Sequence, residues 1–301
     1  MRSFRIEEDS VAGRADAHFL HAARPLESVL APSIESPRAL SWVPGKEVLL
    51  VSAADGGLHS VEPVWGVRHL FNTHPEAAHL STHDERAAVL GRDGHLEIWH
   101  VGERKKLWEA ETPMVSQMGV RWWSGGVAVA GDDFDQRRLI VFDDDGCVKV
   151  RARLPPRTAL GVSPLGRLLV ARSSVSGLHV AALGKPIPAD QATGHTLRFA
   201  PGGRVLGVVP TGVTIWSARG AAPITVKMTD TTAAALHPDG SVLALGTRTG
   251  AVAVAAAIAG SGMRANPSRV EGHSGPVQMM SYAPKGRWLA TMADGCRVWS
   301  Y

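Results

Sequence analysis

The amino-acid sequence predicts an all-β fold, in which seven similar small sheets are arranged in a ring. Three observations support this prediction. A unit of about forty residues recurs along the chain, its apolar runs are typical of strands buried on both faces, and glycine- and proline-containing turns separate those runs. The chain has 301 residues with 32 glycines and 19 prolines, a size that a single all-β domain often reaches.

The repeat is clearest in residues 272–301, GHSGPVQMMSYAPKGRWLATMADGCRVWSY. This segment contains three short strands, a Pro-x-Gly turn after the first strand and a tight Asp-Gly turn after the second. Six earlier segments show the same order. The residues that mark the first turn of each copy are Pro44, Asp84, Ser124, Pro164, Pro201, Pro238 and Pro284. Their successive spacings of 40, 40, 40, 37, 37 and 46 residues predict seven copies of one structural unit.

Strands within the copies are continuous apolar runs such as VLLVSA, RLLVA and AVAVAAAIA, without strict alternation of polar and apolar residues. An open antiparallel sheet with one face in water would show that alternation. The blades of a propeller are four-stranded sheets that pack face to face, so both of their faces are buried. We therefore predict a seven-bladed β-propeller over residues 24–301, preceded by an N-terminal tail of residues 1–23.

The final copy resembles the WD-repeat propeller family. Gly272-His273 stands before its first strand, Asp294-Gly295 forms its second turn, and Trp299 ends its third strand. The resemblance implies a hydrogen-bonded relay with a structural role, formed by His273, Thr291, Asp294 and Trp299. The other copies depart from the family pattern. The high content of alanine, arginine and glycine is typical of a GC-rich bacterial genome.

Closure of the ring requires a strand from elsewhere in the chain, because the last copy contains three strands. Residues 24–32, RPLESVLAP, stand just before the first copy, where an outer strand belongs. We expect them to pair with the blade formed by residues 272–301. The pairing would cover an edge that otherwise invites aggregation.

The resemblance also implies a docking surface. In WD-repeat proteins partners commonly bind the face that carries the second turn of each copy. The corresponding residues here precede a second turn or begin a first strand, and they are Arg38, Arg92, Met118, Arg172, His195, Arg248 and Gln278. Arginines around the mouth of one ring would bind carboxylates or phosphates, since guanidinium contacts both bidentately. The implied function is a non-catalytic scaffold that binds proteins, through acidic segments, within a multiprotein assembly.

Two other functions stay open: an enzyme with a metal or an acid/base pair in the central funnel, and a nucleic-acid-binding propeller. The net charge of +4 and the lack of a long basic run do not favour nucleic acid as a partner. The 13 histidines show no metal-ligand spacing, and no nucleophile or phosphate-binding motif occurs. No cofactor or metal site is therefore predicted.

Localisation is predicted from features that the sequence lacks. The first residues, MRSFRIEEDS, do not include the apolar stretch of a signal peptide, and no apolar run is long enough to span a membrane. The two cysteines, Cys147 and Cys296, lie far apart. We expect a cytoplasmic protein with reduced cysteines and no membrane partner.

Overall fold

The computed structural model describes residues 27–30, 33–114, 116–133, 136–155, 158–162, 167–174, 177–182, 185, 196–200, 204–217, 223–257 and 268–300. Within these ranges the chain forms β-strands and turns. The described residues include no helix that is long and apolar enough to cross a membrane.

The described strands form seven antiparallel sheets, one for each copy of the repeat. We call these sheets blades 1 to 7. Blade 1 contains β2 (Pro37–Trp42), β3 (Leu49–Ala53), β4 (Gly57–Glu62) and β5 (Gly66–Asn72). Blade 2 contains β6 (Ala77–His83), β7 (Arg86–Gly91), β8 (His95–His100) and β9 (Lys105–Glu111). Blade 3 contains β10 (Ser116–Trp123), β11 (Gly126–Asp133), β12 (Gln136–Phe142) and β13 (Val148–Leu154).

The remaining blades follow the same order. Blade 4 contains β14 (Thr158–Val162), β15 (Leu168–Ser174) and β16 (Gly177–Ala182). Blade 5 contains β17 (Thr196–Ala200), β18 (Arg204–Val209), β19 (Gly212–Trp216) and β20 (Ile224–Lys227). Blade 6 contains β21 (Thr231–Leu236), β22 (Val242–Thr247), β23 (Ala251–Ala256) and β24 (Ser268–Glu271). Blade 7 contains β25 (Met279–Tyr282), β26 (Trp288–Met292), β27 (Cys296–Ser300) and β1 (Glu27–Leu30).

The fourth strand of blade 7 comes from the N-terminal part of the chain. Strand β1 pairs antiparallel with β27, and Glu27 lies opposite Ser300 while Ser28 lies opposite Trp299. This confirms the predicted closure, in which an N-terminal strand completes the last blade. The proposed tail, residues 1–23, lies outside the described residues.

The first strand of each of blades 1 to 6, together with β25 in blade 7, lies innermost and lines a central channel. Strand β25 packs against β21 of blade 6 and against β2 of blade 1, so the circle is complete. The indole Nε1 of Trp42 in blade 1 also donates to the carbonyl of Ser281 in blade 7, at 3.0 Å. We call the end of the ring at which the innermost strands begin the upper face.

The hydrophobic core lies between adjacent blades. All residues of β3, β22 and β26 are buried, as expected for continuous apolar strands covered on both sides. In one such cluster Val51 of blade 1 packs with Ala290 and Val298 of blade 7. Each large apolar side chain buried in this way stabilises the fold by roughly 1.5 to 3 kcal/mol. Packing of each blade on its neighbours therefore holds the ring together.

Candidate partner-binding face and central channel

The second turn of each blade lies at the upper face, because the second strand runs antiparallel to the innermost one. In blades 1, 2 and 6 the turn glycine has a positive φ of 85 to 89°, a conformation that other residues rarely adopt. These glycines are Gly56, Gly94 and Gly250. Each carbonyl accepts a hydrogen bond from a backbone N–H one or two residues after the outer strand, at 2.7 to 3.1 Å. The upper-face turns are thus tied to the blade edge by main-chain bonds.

Arg92 and Arg248 occupy equivalent places on this face. Each directly follows the second strand of its blade, and each backbone N–H donates to the residue that precedes the innermost strand. The acceptors are the carbonyls of Glu76, at 3.0 Å, and Asp230, at 2.8 Å. Both arginines are exposed. Within the described ranges neither guanidinium forms an ion pair or a hydrogen bond, so both remain available to a partner.

Arg172 does not lie where the sequence analysis expected it. It sits within β15, opposite Thr158 of β14 and His179 of β16, and only 3% of it is exposed. Because β15 continues to Ser174, Arg172 falls inside the blade and not at the turn that follows. A side chain buried to this extent does not present its charge to another protein, so Arg172 is removed from the docking surface.

The other residues expected at this face differ in whether the structure describes them and in whether they are exposed. Arg38 in β2 and Gln278, just before β25, are exposed. Met118 lies in β10, but its side chain is outside the described residues, as is the whole of His195. The structure therefore places four of the expected residues, exposed, at the upper end of the ring: Arg38, Arg92, Arg248 and Gln278.

Below the upper face the channel encloses a cavity of about 700 Å³, lined by the innermost strands of all seven blades. Two of its arginines are Arg121 of β10 and Arg198 of β17. Arg121 donates to the carbonyl of its neighbour Val120 at 2.9 Å, and Arg198 donates to the carbonyl of Gln278 at 3.2 Å. In the described part of the chain neither arginine has a carboxylate partner. The described lining includes no aspartate or glutamate.

Arg121 and Arg198 also share an electrostatic feature, a lowered pKa. Burial lowers the pKa of Arg121, and burial together with the charge of Arg121 lowers the pKa of Arg198. The side chain of Arg121 is exposed and that of Arg198 is partly buried. A third arginine of the lining, Arg137, is neutralised, because its Nε donates to Asp132 Oδ1 at 2.7 Å. The channel therefore concentrates uncompensated positive charge. The sequence analysis missed this pair, since no linear motif connects the two arginines.

In blade 7 the four relay residues lie in hydrogen-bonding contact. His273 Nδ1 is 3.1 Å from Asp294 Oδ1, and His273 Nε2 is 2.8 Å from Thr291 Oγ1. Trp299 Nε1 donates to the same hydroxyl at 2.8 Å. Thr291 is thus left to donate its own proton to His273 Nε2, which places the imidazole proton on Nδ1. Hydrogen bonds from Ser274 and His273 lower the pKa of Asp294 to about 2.

Blade 2 contains a second His–Asp pair, which the sequence analysis did not identify because no glycine precedes the histidine. His74 Nε2 lies 3.2 Å from Asp93 Oδ2, the aspartate of the second turn. Deeper in this blade Glu97, 5% exposed, accepts the indole N–H of Trp99 at 3.0 Å and pairs with Lys106 at 3.1 Å. An ion-pair network occupies the interior of blade 2.

One group of side chains in blade 2 has the composition of a metal site. The ligand atoms of His95, Glu97 and Glu109 lie within 4.8 Å of one another. However, the ammonium of Lys106 already pairs with Glu97 at 3.1 Å and with Glu109 at 2.5 Å. Since this cation neutralises the carboxylates, the group functions as a salt-bridge cluster and we assign no metal to it.

An exposed aromatic residue lies at the opposite end of the ring. Trp65 is 84% exposed and Val64 is 74% exposed, in the turn between β4 and β5. The sequence analysis did not identify them. The only sequence signal was their position between Pro63 and Gly66, which is typical of a turn.

Comparison with known proteins gives partial matches and one structure of similar fold. No family model matches the chain. A 74-residue segment is 40% identical to pre-mRNA-processing factor 19 homolog 2 of Arabidopsis thaliana, and it covers 24% of this chain and 13% of that protein. A 69-residue segment is 41% identical to pre-mRNA-processing factor 19 of Oryza sativa subsp. japonica, with 23% and 12% covered. The β-propeller domain of Cps50 (Swd1) from Myceliophteria thermophila superimposes with a TM-score of 0.69 at 17% identity, covering 92% of this chain and all of that one.

The fold is therefore a seven-bladed β-propeller. The structural likeness, at 17% identity, shows the fold alone. The matched segments span a small part of the two curated relatives, so the activities of those proteins do not transfer. Both relatives are eukaryotic, and the expected bacterial origin has no support from these comparisons.

Proposed function

We propose that this propeller is a non-catalytic scaffold that binds partner proteins at its upper face, with acidic segments as the preferred ligands. One observation carries the proposal. Arg92 and Arg248 stand exposed at equivalent turns, without a counter-ion among the described residues. A guanidinium forms paired hydrogen bonds with a carboxylate, and arginine is enriched at the centres of protein interfaces.

The rigidity of the ring supports a binding function. Main-chain hydrogen bonds fix the backbone of both arginines to the residue preceding the innermost strand, at 3.0 and 2.8 Å. The turns are thus positioned before a partner arrives, which lowers the entropic cost of association. The enzyme alternative predicts clustered carboxylates or histidines in the channel, whereas the described lining contains one histidine, His79, and no aspartate or glutamate.

The experiment measures binding of a fluorescein-labelled peptide of ten glutamates by fluorescence anisotropy. The double variant R92A/R248A should bind at least about tenfold more weakly, which corresponds to about 1.4 kcal/mol. The matched control is R151A/R153A, since Arg151 and Arg153 are exposed on the outer strand β13 and the change in net charge is the same. Equal affinity of the two double variants would refute the docking surface.

A single-stranded DNA oligonucleotide of equal charge tests the nucleic-acid alternative. If the oligonucleotide binds more tightly than the peptide at physiological salt and its affinity falls steeply as salt rises, the propeller is a nucleic-acid reader. Tighter binding of the peptide than of the oligonucleotide supports the scaffold function. The same variants, compared by affinity purification from cells, then show which partners depend on the upper face.

A further inference from the structure

The charge of the central channel is not explained by protein docking at the upper face. Arg121 and Arg198 project from blades 3 and 5 and interact with each other electrostatically. Each donates a hydrogen bond to a main-chain carbonyl, which does not neutralise its charge. Two like charges that line one channel repel each other, and a bound anion would offset that repulsion. An anion between them would satisfy both.

A second, independent observation lies in the blade between them. Thr158 begins β14 of blade 4, lines the same cavity and is 2% exposed. Its hydroxyl is covered and has no hydrogen-bond partner among the described residues. Buried hydroxyl groups are nearly always hydrogen-bonded, and a rotation of this side chain toward the channel would let the hydroxyl donate to a ligand atom. Two guanidinium groups and a hydroxyl are the donors that bind phosphate and carboxylate oxygens.

We propose that the central channel binds a small molecule with a multiply charged oxyanion, a phosphate or a carboxylate, held by Arg121, Arg198 and Thr158. The cavity of about 700 Å³ lies within the range of roughly 300 to 1,000 Å³ that is typical of small-molecule sites. Its walls also include Phe199, Met280 and Tyr282, which would contact an uncharged part of the ligand. The site does not depend on the proposed scaffold function.

The test uses the full chain with three probes: inorganic pyrophosphate, citrate and the ten-glutamate peptide. Isothermal titration calorimetry gives the affinities, and thermal melting gives the stabilisation by ligand, which grows with the ratio of ligand concentration to Kd. We expect pyrophosphate or citrate to raise the melting temperature of the wild type. R121Q and R198Q should each weaken the binding of that probe at least about tenfold. T158V should weaken its binding to a smaller extent. R151Q is the control with an equal change of charge.

Stability in the absence of ligand separates binding from folding. Because Arg121 and Arg198 repel each other, R121Q and R198Q without ligand should melt at or above the wild-type temperature. A lower melting temperature would show that the pair has a structural role, and R121K, which keeps the charge, then decides: tighter probe binding by R121K than by R121Q supports the oxyanion site, and equal binding by the two variants overturns it.

The same probes distinguish a phosphate from a carboxylate ligand. They also distinguish the channel site from the docking surface at the upper face. Tighter binding of pyrophosphate than of citrate identifies a phosphate ligand, and the reverse order identifies a carboxylate. If only the glutamate peptide binds, and R198Q abolishes that binding, the channel accepts partner side chains and the small-molecule site is overturned. Failure of all three probes, or equal binding by R198Q and R151Q, overturns it as well. R92A/R248A should bind pyrophosphate normally, whether or not that variant loses peptide binding.

Discussion

Blades 2 and 7 share one contact at the upper face and differ in what lies beneath it. In both, a histidine from the loop before the innermost strand meets the aspartate of the second turn, at 3.2 Å in His74–Asp93 and 3.1 Å in His273–Asp294. Three residues before each aspartate, blade 7 has Thr291 at the centre of the relay, whereas blade 2 has Leu90, fully buried.

The tryptophans of the two blades show the same divergence. Trp299 donates to the neutral hydroxyl of Thr291, while Trp99 donates to the carboxylate of Glu97. The blades thus reach one backbone geometry with different interiors, one centred on the hydroxyl of Thr291 and one on the carboxylate of Glu97 and its ion pair with Lys106. The second turn and the packing against neighbouring blades therefore define a blade, and the polar interior can be exchanged. This explains why degenerate copies still form similar sheets.

The outermost strand is a further difference, and it leads to the largest expected effect. Strand β9 of blade 2 follows its neighbour directly in the chain, whereas blade 7 takes β1 from the N-terminal side. Deleting residues 1–32 should destabilise the ring by at least about 3 kcal/mol, because several main-chain hydrogen bonds to β27 are lost, and should promote aggregation through the exposed edge. Urea unfolding and light scattering measure the two effects.

The control for this deletion is the removal of residues 1–23, the proposed tail, which should leave the unfolding midpoint unchanged. If the longer deletion unfolds at the wild-type urea concentration, β1 does not hold blade 7 closed.

The two interiors should also differ in their tolerance of substitution. T291V removes the acceptor of Trp299 and the donor to His273, so two buried groups lose their partner and the free energy of unfolding should fall by about 3 kcal/mol. E97Q keeps an oxygen for Trp99 but weakens the pair with Lys106, which is 38% exposed. It should therefore cost about 1 to 2 kcal/mol.

Urea denaturation measures both changes. T225V, at an exposed threonine of β20, is the control and should change the free energy of unfolding by no more than about 0.5 kcal/mol. A larger cost for E97Q than for T291V would reverse our ranking of the two interiors.

The smallest expected effect is a difference in pH dependence between the blades. Burial lowers the pKa of His273 below 6.5, so its contribution to stability is present above pH 6.5 and is lost as the pH falls through the lowered value. Burial also opposes the charge of His95, but Glu111, Glu97 and Glu109 outweigh it and raise the pKa. The contribution of His95 is therefore present below pH 6.5 and is lost as the pH rises through the raised value.

Unfolding free energies at pH 8 and pH 5.5 test these opposite signs. On acidification H273Q should lose less stability than the wild type, and H95Q should lose more. Shifts in the same direction for both variants would show that the two histidines are not held in opposite charge states.

Several particulars of the fold could be predicted from sequence because they depend on local patterns. The turn residues from Pro44 to Pro284 mark the blades, and the three-stranded last copy indicated that residues 24–32 would supply β1. Arg172 shows where position alone fails, because a strand that extends to Ser174 draws this arginine into the blade. The network around Glu97 escaped notice because its members carry no recognised spacing.

The sequence by itself determined the number of blades, their order and the closure of the ring, since turns and apolar runs act over a few residues and repeat along the chain. Only the tertiary structure decided which charges meet. Arg121, Thr158 and Arg198 belong to three different blades, and they share one cavity because the ring turns each innermost strand toward a common axis. Proximity across that axis depends on the curvature of the whole ring, which no local pattern in the chain specifies.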